Sequence, residues 1–340
     1  MELKIKRIDW LRNEFALLSI IIVAMLLLMG VLNPTRFFRI TNLQSMAFQL
    51  PELGLLSLGM MLIMLTGGIN LSIIASANLS GILMALVLNA MAPPELYTGA
   101  GVGPALVAVV IGLAAGILVG LVNGFLVAYV GVSPILATLG MMTLLNGVNI
   151  LITKGYVISG FPPAFLFIGN GKVLGLPVPF ILFVLIALAA GYIMRRTPHG
   201  LEVYMLGTNE TATRYSAVDV PRVLMRSYVV SGLLAACAAV VMIARFNSAK
   251  SDYGASYLLV TILAAVLGGT DVDGGFGKVL GLFLALVILQ IIGSGLNLLQ
   301  VNAFLTRAIW GLILAAVMIG QYYRIRATRT RMLKRTSRSS

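Results

Sequence analysis

The chain has 340 residues, 59% of them hydrophobic and 10% charged, with a formal net charge of +13 and a mean hydropathy of +1.01. Soluble globular domains carry about 25% charged residues, so this composition excludes a soluble enzyme or binding module and implies an all-α integral membrane protein built as one domain. The single cysteine, Cys237, excludes an intramolecular disulfide and a cysteine-based metal cluster.

The first apolar run, Phe15 to Leu32, follows Lys4, Lys6, Arg7 and Arg12. It lacks a small-residue cleavage site and reads as a first span rather than a signal peptide. Leu53 to Pro94 is free of charge and long enough for two spans, with a break at Gly67-Gly68-Ile69-Asn70. Leu96 to Thr153 is likewise two spans, broken near Gly131-Val132-Ser133-Pro134. Single spans follow at Val173 to Met194, Ser227 to Ala244, Tyr253 to Thr270, Val279 to Leu296 and Ala308 to Tyr323, which makes ten. The window from Tyr253 is the shortest, its strongly apolar part running only from Tyr257 to Leu267.

With ten spans both termini share one side. That side holds seventeen Lys and Arg, counting the N-terminus, the segment Arg195 to Arg226, Lys278 and the tail from Arg324, against seven on the other: Arg36, Arg39, Lys154, Lys172, Arg245, Lys250 and Arg307. The positive-inside rule then puts both ends in the cytoplasm. The expected organisation is a cytoplasmic N-terminus at 1–14, a transmembrane domain at 15–323 with a cytoplasmic loop at 195–226, and a basic tail at 324–340 that meets anionic lipid headgroups. This scattered charge, without interleaved aromatic residues, argues against nucleic acid as a partner.

The loop at 195–226 carries five arginines, the only histidine and three acids between charge-free stretches. Leu201 to Met205 reads as a strand-like or irregular connection, and Gly207-Thr208-Asn209-Glu210 as a turn. Thr208 or Asn209 is placed to cap a short helix with Glu210 in its first turn, running on through Thr211 to Val218 and stopped by Pro221. A short helix of this kind on a water-facing loop fits a groove in a soluble partner.

The chain offers no energy source of its own. Gly277-Lys278 is the nearest approach to a phosphate-binding loop, but Val279 stands where a Ser or Thr holds magnesium. The assigned span interiors contain no Asp, Glu, Lys or His to mark an ion relay, and no nucleophile, cofactor or metal constellation is recognisable. The expected protein is therefore a non-catalytic subunit powered from outside; a self-contained ten-helix secondary transporter or exporter is the alternative, and would show two matching halves.

Four segments in order carry a family resemblance: Gly67-Gly68-Ile69-Asn70-Leu71-Ser72, Ala137 to Met142, Gly207 to Val220, and Gly268-Gly269-Thr270-Asp271-Val272-Asp273-Gly274-Gly275-Phe276-Gly277. Together they resemble the monosaccharide-type, ribose-permease-like subunits of ABC importers, within the branched-chain and sugar permease superfamily. The resemblance implies a ten-helix fold of the type II-like importers, a homodimer or heterodimer of permeases in the bacterial inner membrane, two cytoplasmic ATP-binding subunits and an external sugar-binding protein. It also implies that Gly207, Asn209, Glu210, Ala212, Thr213, Arg214, Ser216 and Val218 form the ATPase-coupling segment, and that the glycines at 67, 68, 268, 269, 274 and 275 are structural. Asn70 stands where the family commonly has Asp, while Tyr215, Ala217 and Asp219 depart from its usual coupling residues.

A neutral sugar needs hydrogen-bonding groups without strong charge along its path. Asn70, Ser72, Thr138 and Asn146 are the candidates, Asn70 foremost because it sits beside a glycine break, as in transporter sites made from discontinuous helices. Gly112, Gly116, Gly120 and Gly124 recur every four residues and mark a face for close helix approach.

Overall fold

The computed structural model describes residues 14–92 and 102–336. Eight of its helices are long and apolar enough to cross a membrane, and two shorter apolar helices, Tyr257–Leu267 and Phe304–Gly320, complete the expected set of ten. The first three are α1 (Glu14–Leu32), α2 (Ile40–Leu65) and α3 (Ile73–Met91). Helix α2 starts well before the charge-free window, because it runs through Pro51 and Glu52 without a break. Treating one acid as a boundary concealed its first half.

Helices α4 (Gly103–Ala128) and α5 (Pro134–Thr153) end and begin at the expected Gly131 to Pro134 break. Proline suits the first turn of α5, where its missing N–H would have no partner in any case. An ordered connection follows, made of β1 (Ile158–Ser159), α6 (Pro163–Asn170), β2 (Lys172–Val173) and β3 (Leu176–Pro177), before α7 (Val178–Arg196).

The segment after α7 corrects two expectations. Leu201 to Met205 lies inside a helix, α8 (Pro198–Thr208), rather than a strand-like connection. Its Val203 and Leu206, three residues apart, bury one face, and Thr197 caps it by accepting from the Gly200 N–H. Helix α9 (Glu210–Tyr215) follows at the expected cap. Pro221 does not stop α9; it lies in the first turn of α10 (Val220–Phe246), which Asp219 caps through the Arg222 N–H.

The remaining elements are β4 (Ser248–Ala249), α11 (Tyr257–Leu267), α12 (Val279–Leu298) and α13 (Ala303–Thr336). At 11 residues, α11 spans only about 16 Å at the helical rise, less than a hydrocarbon core of about 30 Å. The chain still passes from one end of the bundle to the other, since β4 pairs with β1 at one end and Gly268 abuts Gly281 and Leu282 at the other. Helix α13 continues past its apolar part into the basic tail as far as Thr336.

Helix α10 is the central post, packed on α2, α3 and α4. Its contact with α4 is made by the glycine stripe: Gly116 lies against the Gly232 carbonyl, Gly120 against the Tyr228 carbonyl and Gly124 against Met225. A Cβ on Gly116 would come within 2.7 Å of the Ala236 Cβ, so the stripe is spent on close backbone packing between two helices. At one end of the bundle, hereafter the junction end, the start of α1 meets the start of α12, with Lys278 Nζ 5.0 Å from the centre of the Phe15 ring.

Candidate functional site

Three glycine segments far apart in sequence, at Gly67, Gly207 and Gly274-Gly275, converge at the junction end. The Gly275 N–H donates to the Leu65 carbonyl at the end of α2, at 3.0 Å. A Cβ on Gly207 would run into that same carbonyl and into the Gly275 nitrogen, and a Cβ on Gly274 would meet the Gly67 nitrogen at 2.7 Å and the Gly207 Cα at 3.0 Å. Gly274 also has φ +95°, a conformation open to glycine and strained for other residues. The end of α2, the end of α8 and the turn before α12 therefore meet backbone to backbone.

A side-chain bond reinforces the contact. The Tyr204 hydroxyl on α8 donates to the Gly277 carbonyl at 2.7 Å. Burial pushes this phenol's pKa up, with Arg195 opposing, so it stays a protonated donor. Nearby, burial holds His199 below the ordinary imidazole value; Glu202, 3.9 Å away, opposes this and Arg226 adds to it. The imidazole is accordingly neutral at pH 7.

Helix α9 projects from this junction. Asn209 caps it, its Oδ1 accepting from the Ala212 N–H at 3.0 Å. Thr213 is buried at its base and donates to the Asn209 carbonyl at 2.8 Å, while Ser216 donates to the Ala212 carbonyl at 3.0 Å. Glu210, Ala212, Arg214 and Ser216 are exposed, Val218 is half-buried, and Tyr215 is 87% exposed. Glu210 and Arg214 pair at 2.7 Å along the helix, worth about 0.3–0.5 kcal/mol for such an exposed pair. The pair orders the surface more than it stabilises it. The expected coupling residues thus form a capped, mostly exposed platform mounted on the glycine junction. Of the other glycines, Gly68 packs on Pro134, Gly269 adopts a turn with φ +87°, and Gly268 forms the crossing of α11 and α12.

The four path candidates separate into two groups. Asn70, Ser72 and Thr138 are buried and fully engaged. Asn70 Nδ2 donates to Ser231 Oγ at 3.0 Å and its Oδ1 accepts from Ser72 Oγ at 2.8 Å, while Asn123 Nδ2 donates to Ser72 Oγ at 2.8 Å. Thr138 Oγ1 accepts from the Leu71 N–H at 3.1 Å. The cluster knits the start of α3 to α4, α5 and α10. Asn146 differs: it is exposed on α5 and has no hydrogen-bond partner among the described residues.

An Asn70→Ala substitution removes the shared partner of Ser72 and Ser231. The expected cost is about 1–3 kcal/mol, read as a lower thermal midpoint of the purified protein in detergent. Asn146→Ala, with no internal bond to lose, is expected to leave the midpoint unchanged.

Sequence reasoning missed Glu52. It is fully buried in the middle of α2 and forms a two-pronged ion pair with Arg245 of α10, the second contact, Arg245 Nη2 to Glu52 Oε2, being 3.1 Å. A span interior thus does contain an acid, contrary to expectation, and it is neutralised in place. The apolar residues Met46, Phe48 and Leu50 just before it were the available sign that the helix had already begun.

The chain matches the model of the family described as branched-chain amino acid transport system / permease component over residues 42–320. It is 34% identical over 275 residues to the autoinducer 2 import system permease protein LsrD of Yersinia enterocolitica, covering 79% of this chain and 80% of that protein. The proteins of the same name from Photorhabdus temperata and Photorhabdus laumondii are 31% and 33% identical, each covering 93% of this chain and 92% of the relative. No solved structure matches.

Proposed function

The chain belongs to the family of branched-chain amino acid transport system permease components, and we propose that it is the membrane subunit of an ATP-driven importer of a monosaccharide or similar small polyol. The observation that carries the reading is the exposed, capped α9 platform seated on a backbone junction shared by α2, α8 and the turn before α12. A push on α9 has no loose linker in which to dissipate. In this reading two ATP-binding subunits grip Glu210 to Ser216 from the cytoplasm, where both termini also lie, and an external sugar-binding protein delivers substrate to the opposite end. The permease relatives named for autoinducer 2 import agree with a small polar cargo.

A second permease subunit, a copy or a relative, faces α5. Asn146 and Thr143 are exposed there between Gly140 and Gly147, which have open space beside them. Unpaired amides facing lipid cost several kcal/mol, so this face belongs against protein or along a polar path. Asn146 is then the path residue, and Asn70, Ser72 and Thr138 hold the helices that position it.

The test is uptake into proteoliposomes holding this chain with its ATPase and binding protein, offering autoinducer 2 and monosaccharides as cargo. Uptake is expected to need ATP hydrolysis and to fall on the order of tenfold or more in the doubly substituted Glu210→Ala, Arg214→Ala chain, as coupling energies of about 1–3 kcal/mol imply. Uptake by the permease alone, driven by a proton or sodium gradient, would refute the proposal.

A further inference from the structure

A cavity of about 390 Å³ lies between α2, α11, α12 and α13, toward the end of the bundle away from the junction. Gln49 on α2 and Gln290 in the middle of α12 meet there, Gln290 Nε2 donating to Gln49 Oε1 at 3.3 Å. The Gln49 amide in turn donates to Ser45 Oγ at 3.0 Å. These bonds leave Gln290 Oε1 and the second Gln290 N–H without partners among the described residues. The Asn297 side chain, higher on the same wall, is also unpaired among them.

An amide inside the membrane that is only half satisfied costs free energy unless something else completes it. The rest of the lining says what that is. Trp310 lines the cavity beside Gly293, the edge of its ring 3.7 Å from where a Cβ on that glycine would stand, an ordinary packing distance. Tyr257, Leu53, Val260 and Leu289 complete an apolar wall. An aromatic ring and several amides in one lining match a ligand with a C–H face and a hydroxyl edge: the indole can cover the first, and groups that both donate and accept answer the second. The single charge in the lining, Arg307, is exposed at the rim, so the deep part selects an uncharged molecule.

We propose that this cavity is a binding subsite for the transported polyol, with Gln290 and Gln49 holding its hydroxyls and Trp310 stacking on its ring. The proposal rests on the sugar-import reading and adds to it a station on the path that lies outside the α5 face. A hydroxylated ligand completes the amides.

Trp10 and Trp310 are the two tryptophans of the chain, so a Trp10→Phe protein reports on Trp310 alone. The experiment titrates this purified permease in nanodiscs with the sugar that the complete transporter imports, following tryptophan emission, and measures uptake by the same variants in proteoliposomes. A saturable emission change is expected, shifted about tenfold to higher concentration in Gln290→Leu, the loss of one hydrogen bond to a neutral ligand. Uptake KM is expected to rise with it, and Gln290→Asn to recover part of the loss. Leucine at 290 suits the surrounding lipid and apolar wall, so the variant assembles.

If the wild-type transporter imports the sugar but Trp310 emission does not respond, or Gln290→Leu and Trp310→Leu transport it normally, the subsite is overturned while the import function stands. If the wild-type transporter imports no sugar under ATP, the import reading fails first. A titration that saturates only with anionic sugars overturns the neutral-polyol assignment in favour of Arg307 as the determinant.

Discussion

Alanine at Gly207 is expected to uncouple the transporter: ATP hydrolysis by the assembled complex continues while uptake falls on the order of tenfold or more. The added Cβ would press on the Leu65 carbonyl and the Gly275 nitrogen, both backbone atoms with no rotamer to adjust. Relief requires α8 to back away, which pulls on the Tyr204 bond to Gly277, or the turn at Gly274 to move, which lengthens the 3.0 Å bond from Gly275 to Leu65. Overpacking of this kind costs about 1–3 kcal/mol, enough to loosen the junction without unfolding the ten-helix bundle. Parallel assays of ATPase rate and uptake read the effect directly. Gly103→Ala, where a Cβ meets nothing within 4 Å, is the control and is expected to match the parent.

The largest stability loss is expected from Arg245→Ala. It strands Glu52, which is fully buried, and also removes the guanidinium lying 4.4 Å over the Phe246 ring. Breaking a buried pair from one side typically costs about 3–5 kcal/mol, because the remaining charge has neither water nor partner. Replacing both members with apolar residues, Glu52→Leu with Arg245→Met, removes the stranded charge and is expected to recover most of the loss. Thermal midpoints in detergent separate the cases: the single variant well below the parent, the double variant near it. Equal midpoints for single and double variants would mean that the pair does not hold α2 to α10.

Much of this architecture was readable before the structure. Charge-free windows located the apolar helices because lipid tolerates few charges, and the glycine breaks marked where helices end because glycine and proline interrupt them there. A cap at Thr208 or Asn209 was legible from local chemistry, and the structure uses Asn209. What stayed hidden was non-local. Nothing in the string joins Gly67, Gly207 and Gly274 at one point, since backbone contact leaves no periodic trace. An acid in a span is rare, and only its distant partner Arg245 explains Glu52. Leu201 to Met205 was misread because alternating apolar and polar residues over so short a run suit a strand and a helix equally. Gln49 and Gln290 were passed over because an isolated glutamine in an apolar run carries no sign of what faces it. Asn70 looked like a path residue beside its glycines, yet its bonds to Ser72 and Ser231 occupy it in packing.

One measurement bears most directly on the claim that motion enters through α9. A photoreactive amino acid placed at Tyr215, which is 87% exposed at the end of α9, should, on illumination of the assembled transporter in membranes, become covalently attached to the ATP-binding subunit, with a yield that changes between ATP-bound and nucleotide-free states. Labelling of position 215 by a membrane-impermeant reagent from the outer face, with no attachment to any ATP-binding protein, would contradict it.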